Sequence, residues 1–363
     1  MKKSITLFII IFIMISGVSA QITFSGILDS TVSMNIGAED SPAFSCGIEE
    51  FANIRFQARI QDKATVFGAV NLIAASGNNA LAMAGMGIGF FNENFASVIE
   101  LERLYFRLRG EHVDIDGGLF RLPFGYGQVW GPSDFLNPKN PLKPDARPRA
   151  ILGTALIWYP ADELKLLAFY SAPRDPFSNE GEGSFIGFSL DKHWVLASIQ
   201  GLYSFETPYD NFKLGVHRIG FSLKADIIVG LVIDALYTYN HEAGFTADGL
   251  SFSIGFDSSF FDGDMIFLIE YLYNGKTSST AEGFGGNFSN NHYLYTGLTW
   301  IFNSFTNMNI ALISSFDDIS FTPIVSLNHD LFQGAALTVS VQVPFDLDTF
   351  YGVNLSTKLR LRF

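Results

Sequence analysis

From Tyr351 to the carboxy terminus the chain alternates without a break. Tyr351, Val353, Leu355, Thr357, Leu359, Leu361 and Phe363 fall in one phase, and Gly352, Asn354, Ser356, Lys358, Arg360 and Arg362 in the other. Successive side chains of a strand point to opposite faces, so this segment needs an apolar medium on one face and water on the other. Lipid outside and a wet lumen inside satisfy both demands. An amphipathic strand at the edge of a soluble sheet is the alternative.

The other end of the chain separates the two. Lys2 and Lys3 form a short basic region, Ile5 to Ile15 an apolar run broken only by Thr6, and Val18-Ser19-Ala20 a small-residue site before Gln21. This is the pattern of a cleaved secretory signal, with residues 1–20 as signal and 21–363 as the exported domain. The apolar core is shorter than the ~20 residues of a spanning helix. No later stretch is long and apolar enough to span as a helix, yet the chain is 48% hydrophobic and 15% aromatic. In hydrocarbon an unpaired backbone amide costs several kcal/mol, so only helices and closed barrels cross. A barrel is therefore expected. Cys46, the single cysteine, forms no intrachain disulfide. The formal charge of −13, which becomes −15 without Lys2 and Lys3, argues against a nucleic-acid partner.

Alternation recurs along the whole exported part. Ala52, Ile54, Phe56, Ala58 and Ile60 interleave with Asn53, Arg55, Gln57, Arg59 and Gln61; Leu250, Phe252, Ile254 and Phe256 with Ser251, Ser253, Gly255 and Asp257; Leu337, Val339, Val341 and Val343 with Thr338, Ser340 and Gln342. About eighteen such segments near ~10 residues are readable, with sixteen also open, which predicts an all-β transmembrane antiparallel barrel without a second domain. Short turns such as Gln61-Asp62-Lys63, Gly110-Glu111 and Ala225-Asp226 alternate with long polar links near 38–48, 76–97, 122–149, 172–183, 241–249 and 274–291. Both termini then lie at the short-turn end, which requires an even strand number. Trp158, Trp194 and Trp300 lie near short turns, and Tyr203, Tyr237 and Tyr271 near long links, as interfacial aromatic girdles would. Two breaks in phase are expected to mark irregularities. A bulge at Gly117-Gly118 would turn Arg121 inward, and His217-Arg218 separates two apolar phases. Among the histidines, His112 and His217 are lumen candidates and the others sit near strand ends.

The run from Arg121 to Arg149 differs from its surroundings. It holds six of the 13 prolines, which remove amide donors and fix the backbone, and it is also apolar and aromatic. An ordered irregular segment is expected, either folded into the barrel as a constriction or lying over its mouth as a cap. Beside an open channel, a structural or adhesive surface barrel closed by residues 122–149 and a hydrophobic-substrate transporter, which the Phe-rich composition permits, are the alternatives.

Within it, Gly118-Leu-Phe-Arg-Leu-Pro-Phe-Gly125 resembles the Gly-x-Phe-x-x-Pro-Phe-Gly stretch of phosphate-selective-type and related Gram-negative porins. The carboxy-terminal Phe363, with Leu361 and Leu359, resembles the assembly signal of outer-membrane barrels. The resemblance covers the signal, this segment and the last strand. It implies an outer-membrane location, contact with outer-membrane lipid and with the barrel-assembly machinery, passive diffusion of small hydrophilic solutes, an inward-folded third external loop, and a homotrimer as one possible assembly. A lysine-rich phosphate ladder is not evident, which puts phosphate in doubt.

Charge in this run is locally positive. Arg121, Lys139, Lys143, Arg147 and Arg149 face only Asp134 and Asp145, and with Tyr126 and Trp130 they form the candidate constriction. The inward phase agrees: Arg55, Arg59, Arg103, Arg107, Lys358 and Arg360, with Arg362, Lys213 and Lys224, outnumber Glu270, Asp29, Asp114, Asp116, Asp234 and Asp257. Cationic rings select anions. Arginines paired with carboxylates to stiffen the wall are the competing reading. Gly275-Lys276-Thr277 ends like a phosphate loop, but Glu270 replaces its earlier glycine. The six histidines show no metal-ligand spacing, no cofactor is indicated, and no local motif points to catalysis.

Overall fold

A computed structural model of the chain describes residues 20–37, 44–61, 63–82, 88–92, 94–142, 148–173, 183–208, 214–241, 244–275, 288 and 290–363. Residues 1–19 of the expected signal lie outside these, as do Lys143, Asp145, Arg147 and Lys213.

Alternating segments need a sheet whose every edge is paired, and the chain supplies one. Its strands are β1 (Ala20–Ile36), β2 (Ser45–Ile60), β3 (Ala64–Gly77), β4 (Ile88–Phe91), β5 (Phe95–Arg109), β6 (Val113–Phe120) and β7 (Ile151–Ala161). Then follow β8 (Leu164–Ser171), β9 (Phe185–His193), β10 (Ala197–Glu206), β11 (Val216–Asp226), β12 (Gly230–Asn240) and β13 (Leu250–Phe260). The last six are β14 (Met265–Tyr273), β15 (His292–Asn303), β16 (Thr306–Ser315), β17 (Ser320–Phe332), β18 (Ala335–Gln342) and β19 (Val353–Arg362). A short helix, α1 (Asn78–Ala82), follows β3. Successive strands pair antiparallel, β3 pairs directly with β5, and β1 pairs with β19. The result is a closed barrel of 18 strands with β4 as one extra strand outside the ring. Among the described residues no helix is long and apolar enough to cross a membrane, so the crossing falls to the strands.

The two phases behave as the alternation requires. Ile22, Phe24, Leu28, Ile54, Leu359 and Phe363 present their side chains to the outside, whereas Asp29, Asn53, Asn71, Asp234 and Glu270 are buried within the barrel. Short turns close one end; the other carries the long links and one short turn, 316–319. One long link, 207–215, has no signature in the pattern because Phe212, Leu214 and Val216 mimic a strand. β11 instead begins at Val216, after Gly215 turns the backbone at φ 76°. Val216 and Arg218 both face inward, and His217 faces out, contrary to the lumen position expected for it. There it joins Tyr203, Phe205 and Tyr239 in an outward aromatic belt near the long-link end.

Closure rests on the seam between the first and last strands. Arg360 donates two hydrogen bonds to Asp29, at 2.8 and 2.7 Å, across the register pair of these residues. Such bidentate charge-assisted pairs are among the stronger polar contacts. Below it, Gly26 and Phe363 exchange backbone hydrogen bonds at 2.8 and 3.2 Å, and the Phe363 ring lies where a β-carbon on Gly26 would stand. Gly26→Val should therefore displace the terminal ring and weaken the seam, lowering the temperature at which the barrel loses its heat-modifiable mobility in electrophoresis. An unchanged transition would show that the ring is not seated there.

Candidate functional site

The inward segment begins where a strand is made to stop. β6 ends at Phe120, and Pro123, three residues on, has no amide to offer a ladder. The bulge expected at Gly117-Gly118 is absent: Asp116, Gly117, Gly118 and Leu119 stay in register with both β5 and β7. Arg121 turns inward because the chain leaves the sheet. The irregularity lies in β5, where Ala69 pairs with Arg103 and Val70 with Leu101, leaving Glu102 as the extra residue. This bulge places the Glu102 carboxylate inside the barrel. There it accepts from Arg121 at 2.9 Å and from Asn53 at 2.6 Å. Since β6 pairs with β5 no higher than Leu104, the upper flank of β5 would be left open. β4 covers it, pairing with residues 96–99.

Once off the wall, the segment must satisfy its own backbone. It does so partly from within. Asn137 accepts from the Leu122 amide at 2.7 Å and donates to the Arg149 carbonyl at 2.5 Å; Asp134 accepts from the Phe124 amide at 3.2 Å; Lys139 donates to the Gly127 carbonyl at 3.1 Å. The barrel wall supplies the rest. Gln200 on β10 accepts from the Gly125 amide at 2.6 Å. Ser133 donates to Asp234 on β12 at 2.5 Å. Glu270 on β14 accepts from three successive amides, those of Gln128, Val129 and Trp130, at 3.2, 3.0 and 3.0 Å. Gly125 adopts φ 76° where the chain passes Ser133 and Asp234, and a β-carbon there would collide with both.

Apolar contacts fix the two ends of the traverse. Leu122, Phe124 and Leu136 pack with Ile151, Leu167, Phe169 and Phe185 of the wall. Across the lumen, Val129 and Trp130 pack with Leu272, Tyr293 and Ile313, with Trp130 edge-on to Tyr295 at 6.2 Å. Because Asp234 and Glu270 lie inside their strands, residues 125–133 lie within the barrel. The cap is thereby replaced by an inward fold. It is the third long link, between the fifth and sixth strands of the ring, as the sequence predicts.

The other candidate residues divide into groups. Trp130 and Asp134 are fully buried, and burial pushes the Asp134 carboxyl up to about 8. Burial, with Asp191 nearby, pushes the Tyr126 phenol up to about 12. The Arg149 side chain is exposed. On the wall, Arg107 binds Asp116 through two bonds of 2.6 Å, Arg103 lies 4.6 Å over the Phe67 ring, and Arg55 donates to Asn53. Arg59 is exposed, and Lys358, half-buried, faces inward beside Arg360. Glu270 points inward as expected, but the segment covers it. Sequence reasoning missed Glu102, Asn137 and Gln200. It also missed Arg218, which pairs with Glu206 at 2.8 Å between the rings of Phe135 and Phe185. An inward glutamine or asparagine carries no signal of its partner when that partner is a loop amide far away in sequence.

Glu270 is the anchor most open to test. Hydrogen bonds to a charged acceptor contribute about 1.5–3 kcal/mol each, against about 0.5–1.5 for neutral ones. Glu270→Gln, which turns one acceptor into a donor facing amide donors, should loosen residues 128–130 by about 2 kcal/mol. Hydrogen exchange of a peptide containing Val129 and Trp130 should then speed up about thirtyfold, with the barrel still heat-modifiable. Unaltered protection would show that the segment is held by other contacts.

No protein-family model matches the chain, and no curated protein matches it in sequence. Solved structures do match it in shape. A BenF-like porin from Pseudomonas fluorescens Pf-5 superposes with a TM-score of 0.65 at 10% identity, covering 95% of this chain and 99% of that one. The outer membrane protein opdK from Pseudomonas aeruginosa gives 0.63 at 8% identity, over 94% and 98%. OccAB4 from Acinetobacter baumannii gives 0.62 at 12% identity, again over 94% and 98%. At such identities the likeness is one of fold, and the fold is that of a Gram-negative outer-membrane β-barrel porin.

Proposed function

We propose that the protein is an outer-membrane channel for passive diffusion of small hydrophilic solutes, narrowed by residues 121–149 and mildly selective for anions. The observation that carries this reading is the uneven exposure of the two charges inside the barrel. Arg107 keeps 35% of its side chain open and Asp116 only 3%; Arg121 keeps 21% and Glu102 only 4%. Asp234, Glu270 and Glu206 are fully buried, the first two beneath the inward segment. Arg59 is open to the lumen, with Glu100 and Asp257 as partial counterweights. A permeating ion passes within the Debye length of about 8–10 Å of these side chains, whereas the acidic outer links are screened beyond it. Water-facing guanidinium groups favour anions at that range. OpdK from Pseudomonas aeruginosa, one of the structural neighbours, has been solved with vanillate, a carboxylate, which fits the same reading.

Bilayer recording of the purified protein tests it. The pore should conduct, with chloride more permeant than potassium in a salt gradient, and removal of residues 127–142 should raise the conductance. Arg59→Glu combined with Arg103→Glu should move the zero-current potential toward cation preference. A closed barrel would favour a structural or adhesive surface role, and a potassium-selective parent would sink the anion reading.

Export with removal of residues 1–20, and recognition of Leu359, Leu361 and Phe363 by the barrel-assembly machinery, belong to the same proposal. The terminal ring is 71% exposed on the outer face, available to a docking partner before the seam is sealed in lipid. Deleting Phe363 should leave less heat-modifiable barrel in the membrane fraction and more chain in the periplasm; equal amounts would count against this role.

A further inference from the structure

Two histidines, one on β11 and one just after β12, meet on the outside of the barrel. His217 pairs in register with Tyr239 across β11 and β12, and His241 follows directly after β12, in the same phase as Tyr239. Cross-strand diagonal neighbours on one face lie close enough for long side chains to touch. Here the two rings stand at 71°, and their Nε2 atoms face each other at 3.3 Å. Nδ1 of His217 lies 2.8 Å from the hydroxyl of Tyr203.

At 3.3 Å the Nε2 pair stands at the long end of hydrogen-bond range, and the separation also suits two nitrogens sharing a metal ion. Two zinc–nitrogen bonds of about 2.0–2.1 Å at the tetrahedral angle set the nitrogens about 3.3–3.4 Å apart, which matches. Metal-bound imidazole commonly uses its second nitrogen for an orienting hydrogen bond, and Tyr203 occupies that place on His217. We infer that His217 and His241 form a site for a divalent transition-type cation of the zinc class, with Tyr203 positioning His217. Among the described residues no group of three or more His, Cys, Asp or Glu could share a metal ion, so water or an external ligand fills the remaining positions.

The location gives the site a consequence. His241 opens the link to β13, and that link already leans on the barrel: Tyr237 bonds both the amide and the carbonyl of Thr246, at 3.1 and 3.2 Å, and Phe245 stacks on Tyr237 at 5.6 Å. A cation shared by His241 and His217 would tether the start of this link to β11.

Calorimetric titration of the full-length, tag-free protein in detergent with zinc chloride tests the site. One equivalent per chain should bind to the parent. His217→Ala and His241→Ala should each abolish that binding, Tyr203→Phe should weaken it by about tenfold, and His329→Ala, a distant histidine, should leave it unchanged. Lack of binding by the parent, or equal binding by His217→Ala, would overturn the inference. Should a histidine variant fail to fold, X-ray absorption of cobalt-loaded parent decides: two imidazole nitrogens on the metal uphold the site, and a shell of oxygen alone removes it.

Discussion

The constraint on which the rest depends is that a backbone amide inside a membrane must find a partner within the protein. Eighteen strands meet it by closing into a ring through the β1–β19 seam. The interesting chemistry begins where the chain breaks that pattern, after Phe120. Leaving the wall creates two deficits, an open flank on β5 and a run of irregular amides in the lumen. β4 meets the first. Glu270, Gln200, Asn137 and Asp134 meet the second.

The second solution explains the charge distribution. A carboxylate has several acceptor sites and no donor, so it suits a cluster of converging N–H groups. The inward acids of β12 and β14 are spent in this way, held under the segment they support. Arginine cannot serve this purpose, having no acceptor, and its long planar head reaches past its partner toward water. An acidic chain can therefore leave arginine heads such as Arg107 and Arg121 more open to water than the carboxylates they bind.

Alternation made most of the wall legible, because one-sided burial repeats at every second residue whatever the tertiary partner. The proline-rich aromatic run likewise announced an ordered irregular segment. What stayed hidden depends on register across strands. Glu102 faces inward only because of a one-residue bulge in β5, and Gly117 and Gly118, where a bulge is expected, keep the register of β6 even though Gly118 adopts φ 122°. His217, a lumen candidate from the sequence, faces outward because the strand start at Val216 is set by a turn that the apolar residues before it conceal. The meeting of His217 with His241 follows from hairpin geometry, and spacing rules for metal ligands do not see it.

The inward segment also has a mechanical side. It leaves the wall beside β5 and β6, passes β10, reaches β14, β15 and β16 at Val129 and Trp130, and returns past β12 to the wall it left. Its prolines keep it stiff between those fixings. A hollow cylinder in a bilayer is free to flatten under lateral pressure, and a rigid strut joining distant points of its circumference opposes that deformation. The inward segment therefore also keeps the barrel's cross-section round.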